Sequence, residues 1–145
     1  MAYEYTLTDK NPLKLLVEIS SVISKKFELT YIGQNGLLVI VDELDTTEKT
    51  ALDNVINLHT NTFYLIKNRK QNIKADGIDT EHLIACYPYQ QGVVDIMING
   101  IKQSEANFDA IGIVKYDFKT ATPGTYEIQF KQGTLISNIV TVVAE

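Results

Sequence analysis

"ATPGTYEIQF", residues 121–130, is the stretch whose reading decides the fold. A Pro123-Gly124 turn leads into an alternating run in which Tyr126, Ile128 and Phe130 fall on one face of a strand. A tyrosine just inside a strand that follows such a corner can return its hydroxyl to the corner's backbone, an arrangement found near the end of two-sheet sandwiches. The surrounding sequence agrees. From residue 71 onward, strand-like runs recur at short intervals: "NIKA", "TEHLIACY", "VVDIMI", "IKQSEA", "IGIVKYDF", "TYEIQFK" and "TLISNIVTVV". Turn dipeptides separate them at Asp76-Gly77, Gln91-Gly92, Asn99-Gly100, Pro123-Gly124 and Gln132-Gly133. Seven short strands with this punctuation and no helical period predict an all-β sandwich over residues 71–145.

Residues 1–70 read differently. "YEYTLT" alternates as a strand. "NPLKLLVEISSVIS" predicts a helix to about Ser24, with Asn11 as N-cap and Pro12 in the first turn, where its missing N–H costs nothing. "FELTYIGQNGLLVIVDE" predicts two strands joined at Gln34-Asn35-Gly36. In "LDTTEKTALDNVINLHT", Asp45 and Glu48 have capping-box spacing, and Leu52, Val55, Ile56 and His59 share one helix face. The fold class is therefore α+β: a small β-α-β-β-α domain (1–70) followed by the sandwich (71–145). "TFYLI" reads as the last packed piece of the first domain, and "KNRKQ" as a linker. Residues 1–70 hold eight basic and nine acidic residues and residues 71–145 five and nine, which places most of the negative charge on the sandwich.

Composition removes several function classes. A net charge of −5 argues against a phosphate-binding surface, hence against nucleic acid as partner. The single Cys excludes an intramolecular disulfide and a cysteine-rich zinc site. No apolar run approaches the roughly 20 residues that cross a bilayer, so membrane insertion is not expected. "MAYEYTLTDK" lacks the basic and apolar regions of a signal peptide.

Chemistry-bearing residues are sparse. His59 reads as a boundary residue of the second helix with one wet nitrogen, and His82 as a structural residue in a strand. Cys86 has no neighbouring His or Lys in sequence to activate it and reads as a small buried hydrophobe. The carboxylate pairs in "DELD" (42–45) and "DGID" (76–79) lack the ligand spacing of a calcium loop, and each has a cap or turn role available. Catalytic residues, cofactor and metal are accordingly expected to be none, and the protein is not expected to be an enzyme. A partner surface is expected instead. On a helical wheel the first helix is apolar over roughly 200°, twice the arc that a helix on a small sheet commonly buries. The surplus arc reads either as a deeply buried helix or as a partner face, in which case Leu15, Ile19 and Val22 would meet the partner. Lys67, Arg69 and Lys70 read as solvated linker charge or as a basic partner contact.

In "ADGIDTEHLIA" (75–85), "VVDIMINGIK" (93–102), "IGIVKYDFKTATPGTYEIQF" (111–130) and "SNIVTVV" (137–143) the C-terminal half resembles the bacterial and phage immunoglobulin-like domains. Pro123, Gly124 and Tyr126 carry the signature, and the Cys and Trp pattern of antibody domains is missing. The two-domain layout is similar to that of tailed-phage capsid decoration proteins. That resemblance implies a virion accessory protein made in the host cytoplasm. Its first domain would grip the major capsid protein or another virion protein, and its sandwich would project outward, with host surface glycans as a further partner. A tail, neck or head-fibre component and an Ig-like adhesin are the alternatives, and homo-oligomerisation is left open.

Overall fold

A computed structural model describes all residues, 1–145. The chain is mixed α+β, with two helices and eleven strands in three sheets. It divides into two units, Met1–Asn61 and Thr62–Glu145.

In the first unit β1 (Ala2–Thr6), α1 (Pro12–Val22), β2 (Phe27–Ile32), β3 (Gly36–Val41) and α2 (Thr46–Asn57) follow in order. The strands form an antiparallel sheet in the order β1-β3-β2. Both helix starts are fixed as their sequences predict. The Lys14 N–H donates to Asn11 Oδ1 at 3.1 Å. Asp45 and Glu48 complete a reciprocal capping box, with bonds of 2.8 and 3.1 Å. The β2–β3 hairpin differs from expectation. Its left-handed residue is Gly33 (φ 61°), and the Ile32–Gly36 pair closes a three-residue loop. Gly36 is required for another reason: a Cβ there would lie 2.5 Å from the Ile32 carbonyl oxygen.

One core holds this unit. Leu15, Ile19 and Ile23 meet Leu37, Val39 and Val41 of β3, with Leu44, Leu52 and Ile56 closing the other side. Polar bonds stitch its rim. The Tyr5 hydroxyl donates to Asp53 at 2.7 Å, and burial together with that carboxylate raises the Tyr5 pKa. His59 is buried with both ring nitrogens engaged, contrary to the wet boundary position expected. Its Nε2 accepts the Asn11 N–H at 3.0 Å, so Nδ1 carries the hydrogen and donates to Glu18. This imidazole joins the end of α2 to the start and middle of α1.

The second unit begins earlier than residue 71. β4 (Tyr64–Lys67), which overlaps the "TFYLI" assigned above to the first domain, pairs antiparallel with β5 (Glu81–Cys86). Phe63 and Leu65 are buried in this unit's core. β8 (Ile113–Phe118) completes a sheet in the order β4-β5-β8. Opposite it, β6 (Val93–Ile98), β7 (Ile101–Asn107), β9 (Gly124–Gln132), β10 (Leu135–Ile136) and β11 (Val140–Ala144) form a five-stranded sheet. In that sheet β9 lies between β6 on one side and both β10 and β11 on the other. Leu83, Ala85, Val114 and Phe118 from the first sheet share one core with Val94, Ile96, Ile128, Phe130 and Val142 from the second. "NIKA" is not a strand: Ile73 makes only an isolated parallel bridge to Ala144. "TLISNIVTVV" splits into β10 and β11.

The shifted boundary reverses the charge division. Residues 1–61 hold five basic and nine acidic residues, and residues 62–145 hold eight and nine. The first unit therefore carries most of the negative charge, because Lys67, Arg69 and Lys70 belong to the second.

Burial separates core from surface along α1. Leu15→Ala is expected to destabilise the first unit by about 3 kcal/mol, the usual range for emptying a packed core site. Val22→Ala, at a position 36% exposed, should change stability by less than about 0.5 kcal/mol. Urea unfolding followed by helical circular dichroism checks both.

Candidate functional site

Of the six residues named for a partner, two are buried, two are half-buried and bonded within their own unit, and two are exposed. Leu15 and Ile19 have no exposed surface, so they offer nothing to a partner, whereas Val22 is at the surface. The wide apolar arc of α1 is explained by burial on one side and by exposed Leu16 and Val22 on the other. The basic cluster lies in the second unit and not in a linker. Lys67 Nζ donates to the Thr141 carbonyl at 2.9 Å. Arg69 donates to Asp79 at 2.6 Å and to the Asn72 carbonyl at 3.2 Å, and its backbone N–H donates to buried Glu81 at 3.0 Å. Lys70 is exposed. The two halves of "DGID" serve this same knot: Asp76 accepts the Ile78 and Asp79 N–H groups, and Asp79 accepts the Lys74 N–H. His82 faces Asp117 directly across the β5–β8 pair at 2.6 Å, and Cys86 is buried.

The signature residues do come together. The Tyr126 hydroxyl donates to the Thr122 carbonyl at 2.7 Å, with Thr120 Oγ1 at 3.2 Å. Its ring lies against Phe118, centroid to centroid 5.0 Å. Gly124 opens β9, and Pro123 is exposed at the corner.

The most distinctive surface was not foreseen. It lies where the loops β5–β6 (87–92), β7–β8 (108–112) and β9–β10 (133–134) converge at one end of the second unit. Backbone bonds lace the first two: Tyr87 N–H to Gly112 O, Tyr89 N–H to Ile111 O, Gln90 N–H to Tyr87 O, and Phe108 N–H to Gly92 O, all 3.0–3.1 Å. Side chains add to this. Gln90 Nε2 donates to Gln132 Oε1 at 2.6 Å, and Gln132 Nε2 donates to the Gln91 and Val93 carbonyls. Asp109 Oδ1 accepts the Ile111 and Ile113 N–H groups. Gly112 (φ 88°) is obligatory, since a Cβ would stand 2.1 Å from the Tyr87 carbonyl oxygen.

This scaffold holds apolar side chains in water. Tyr89 is 81% exposed and Ile111 57%, with Val93 beside the loop. Tyr89 also has φ 63°, a left-handed conformation that costs a side-chain-bearing residue about 1–2 kcal/mol. The other left-handed non-glycine residues are Asp9 and Asn99, types that tolerate it. Tyr89 thus costs the fold energy and adds little to the core, the pattern of a residue kept for contact. Asp109 is the one charged side chain in these loops, so the surface suits an uncharged partner region.

No known protein family, curated protein or solved structure matches this chain.

Two expectations follow. Tyr89→Gly should stabilise the protein by up to about 1 kcal/mol, and Tyr89→Val should destabilise it by a similar amount; thermal unfolding of both variants checks the sign. The second concerns acid. Backbone N–H groups hold the Asp76 and Asp109 carboxyls below the ordinary carboxylate range, and the Arg69 guanidinium does so for Asp79. A carboxyl whose pKa is depressed by folding contributes stability that is complete above its unfolded value of about 3.9 and is lost as pH falls through the folded value. The midpoint of the second unit should hold steady from pH 7 to about 5 and then drop below about 4, with a shallower drop in Asp79→Asn. A thermal melt series from pH 7 to 2 measures it.

Proposed function

We propose that this chain is a non-enzymatic accessory protein of a phage particle, a capsid decoration protein. In this reading the first unit is seated on the assembled capsid, and the second is an immunoglobulin-like domain displayed outward. The observation that carries the proposal is the strand arrangement of residues 62–145 together with the Tyr126 corner. β4, β5 and β8 correspond to strands A, B and E of an immunoglobulin-type sandwich, and β6, β7, β9 and β11 to C, C′, F and G. A tyrosine near the start of F bonded back to the corner, as Tyr126 is to Thr122, belongs to that architecture. Without the disulfide and tryptophan of antibody domains, the core rests on Phe130, Ile96, Ile128 and Leu83.

The mechanism is binding alone. Seating the first unit on a surface that only assembly creates ties the protein to mature particles. The second unit then presents the Tyr89 loop end, already rigid, at little further cost in ordering. No helix of the chain is long and apolar enough to cross a membrane.

A density gradient of lysate from the source, blotted for this chain, tests the proposal. Co-banding with intact particles at many copies each is the expected result. Absence from particles would overturn it, and one or a few copies per particle would point to a neck or tail component.

A further inference from the structure

We propose that the open face of the β1-β3-β2 sheet is the surface by which the first unit docks on the capsid, and that it meets a protein surface apolar at its centre and basic at its flanks. This rests on the decoration reading above.

The central strand supplies the first argument. Residues 37–41 read Leu-Leu-Val-Ile-Val, whereas a strand with one wet face alternates apolar and polar. An unbroken aliphatic run is the pattern of a strand covered on both faces. Leu37, Val39 and Val41 are buried in the first unit's core. Leu38 and Ile40 point the other way, and Ile40 is 39% exposed.

Register gives their neighbours. Ala2 and Glu28 flank Ile40, Glu4 and Thr30 flank Leu38, and Ile32, itself 49% exposed, continues the apolar strip beside Gly36. The face is thus an aliphatic strip with one glutamate on each side and no lysine on its three strands. Met1, Lys26 and Asp42 line a shallow cleft at its end with Glu28 and Ile40.

Charge selects the occupant. The first unit has nine acidic residues against five lysines, and four of those lysines are occupied internally. Lys10 donates to the Leu7 and Gln34 carbonyls, Lys14 to Thr60, Lys25 to the Glu43 carbonyl, and Lys49 to Asp53. A second copy of this face would bring two more glutamates against these two. A basic-flanked partner pairs with them instead.

The test uses the full chain and capsids from a phage lacking it, mixed and banded on a gradient. Ile40→Glu should lower occupancy at least about tenfold at matched concentration. Glu4→Lys and Glu28→Lys should each weaken binding, and Val22→Glu on α1 should bind as the parent does. Circular dichroism and thermal midpoints establish that each variant is folded, and the exposed glutamate variants keep the test open if Ile40→Glu unfolds. Folded Ile40→Glu that binds like the parent would overturn the proposal, as would tighter binding by the lysine variants. So would a parent dimer in sedimentation that Ile40→Glu dissolves, since the face would then be a self-contact. If the parent itself fails to bind while correctly folded, the decoration reading falls and this proposal with it.

Discussion

The structure depends on where the short segment after Asn61 finds its cover. Phe63 and Leu65 are buried among Leu83, Ala85, Phe108 and Phe130, and β4 pairs with β5 along its whole length. The side-chain amide of Asn138, in the connection between β10 and β11, clamps the same segment: Oδ1 accepts the Leu65 N–H at 2.7 Å, and Nδ2 donates to the Leu65 carbonyl at 2.9 Å. Burying a strand's backbone requires that its polar groups be paired, and this clamp satisfies two that no strand ladder reaches. Once β4 belongs to the second unit, Lys67 and Arg69 lie within a folded body. The first unit is left with its excess of acidic side chains.

The two units present different kinds of surface. The first offers a sheet face, aliphatic along β3 and acidic at the sides. The second offers a loop end in which Tyr89 stands in a costly backbone conformation, beside Gly112 and among bonds that join the β5–β6 and β7–β8 loops. Such a pair suits a protein that joins two things, one through a broad contact and one through a small rigid tip. In the decoration proposal the broad contact is made with the capsid.

How much of this was legible varied with the kind of signal. Local chemistry read well: Asn11 with Pro12, Asp45 with Glu48, and Tyr126 after its Pro-Gly corner each act through neighbours a few residues away. Assignments that depend on distant partners read poorly. "TFYLI" is apolar enough for either core, and only its pairing with residues 83–86 decides. The α1 wheel gave an apolar arc too broad to tell Leu15 and Ile19, which are buried, from Leu16 and Val22, which are not. Asn35-Gly36 signalled a hairpin, yet the left-handed residue proved to be Gly33, because the Ile32–Gly36 pair sets the loop length. Tyr89 left no trace, since "YPYQQG" reads as an ordinary loop and its partner Ile111 is distant in sequence.

The most direct test is to express residues 62–145 and residues 71–145 as separate chains and to compare their amide dispersion in NMR spectra. Residues 62–145 should give a dispersed spectrum and a cooperative melt. Residues 71–145, which lack Phe63, Leu65 and the strand that Asn138 clamps, should not. A well-dispersed 71–145 with the same midpoint as 62–145 would contradict this, since β4 would then be dispensable and the boundary would lie where the sequence first placed it.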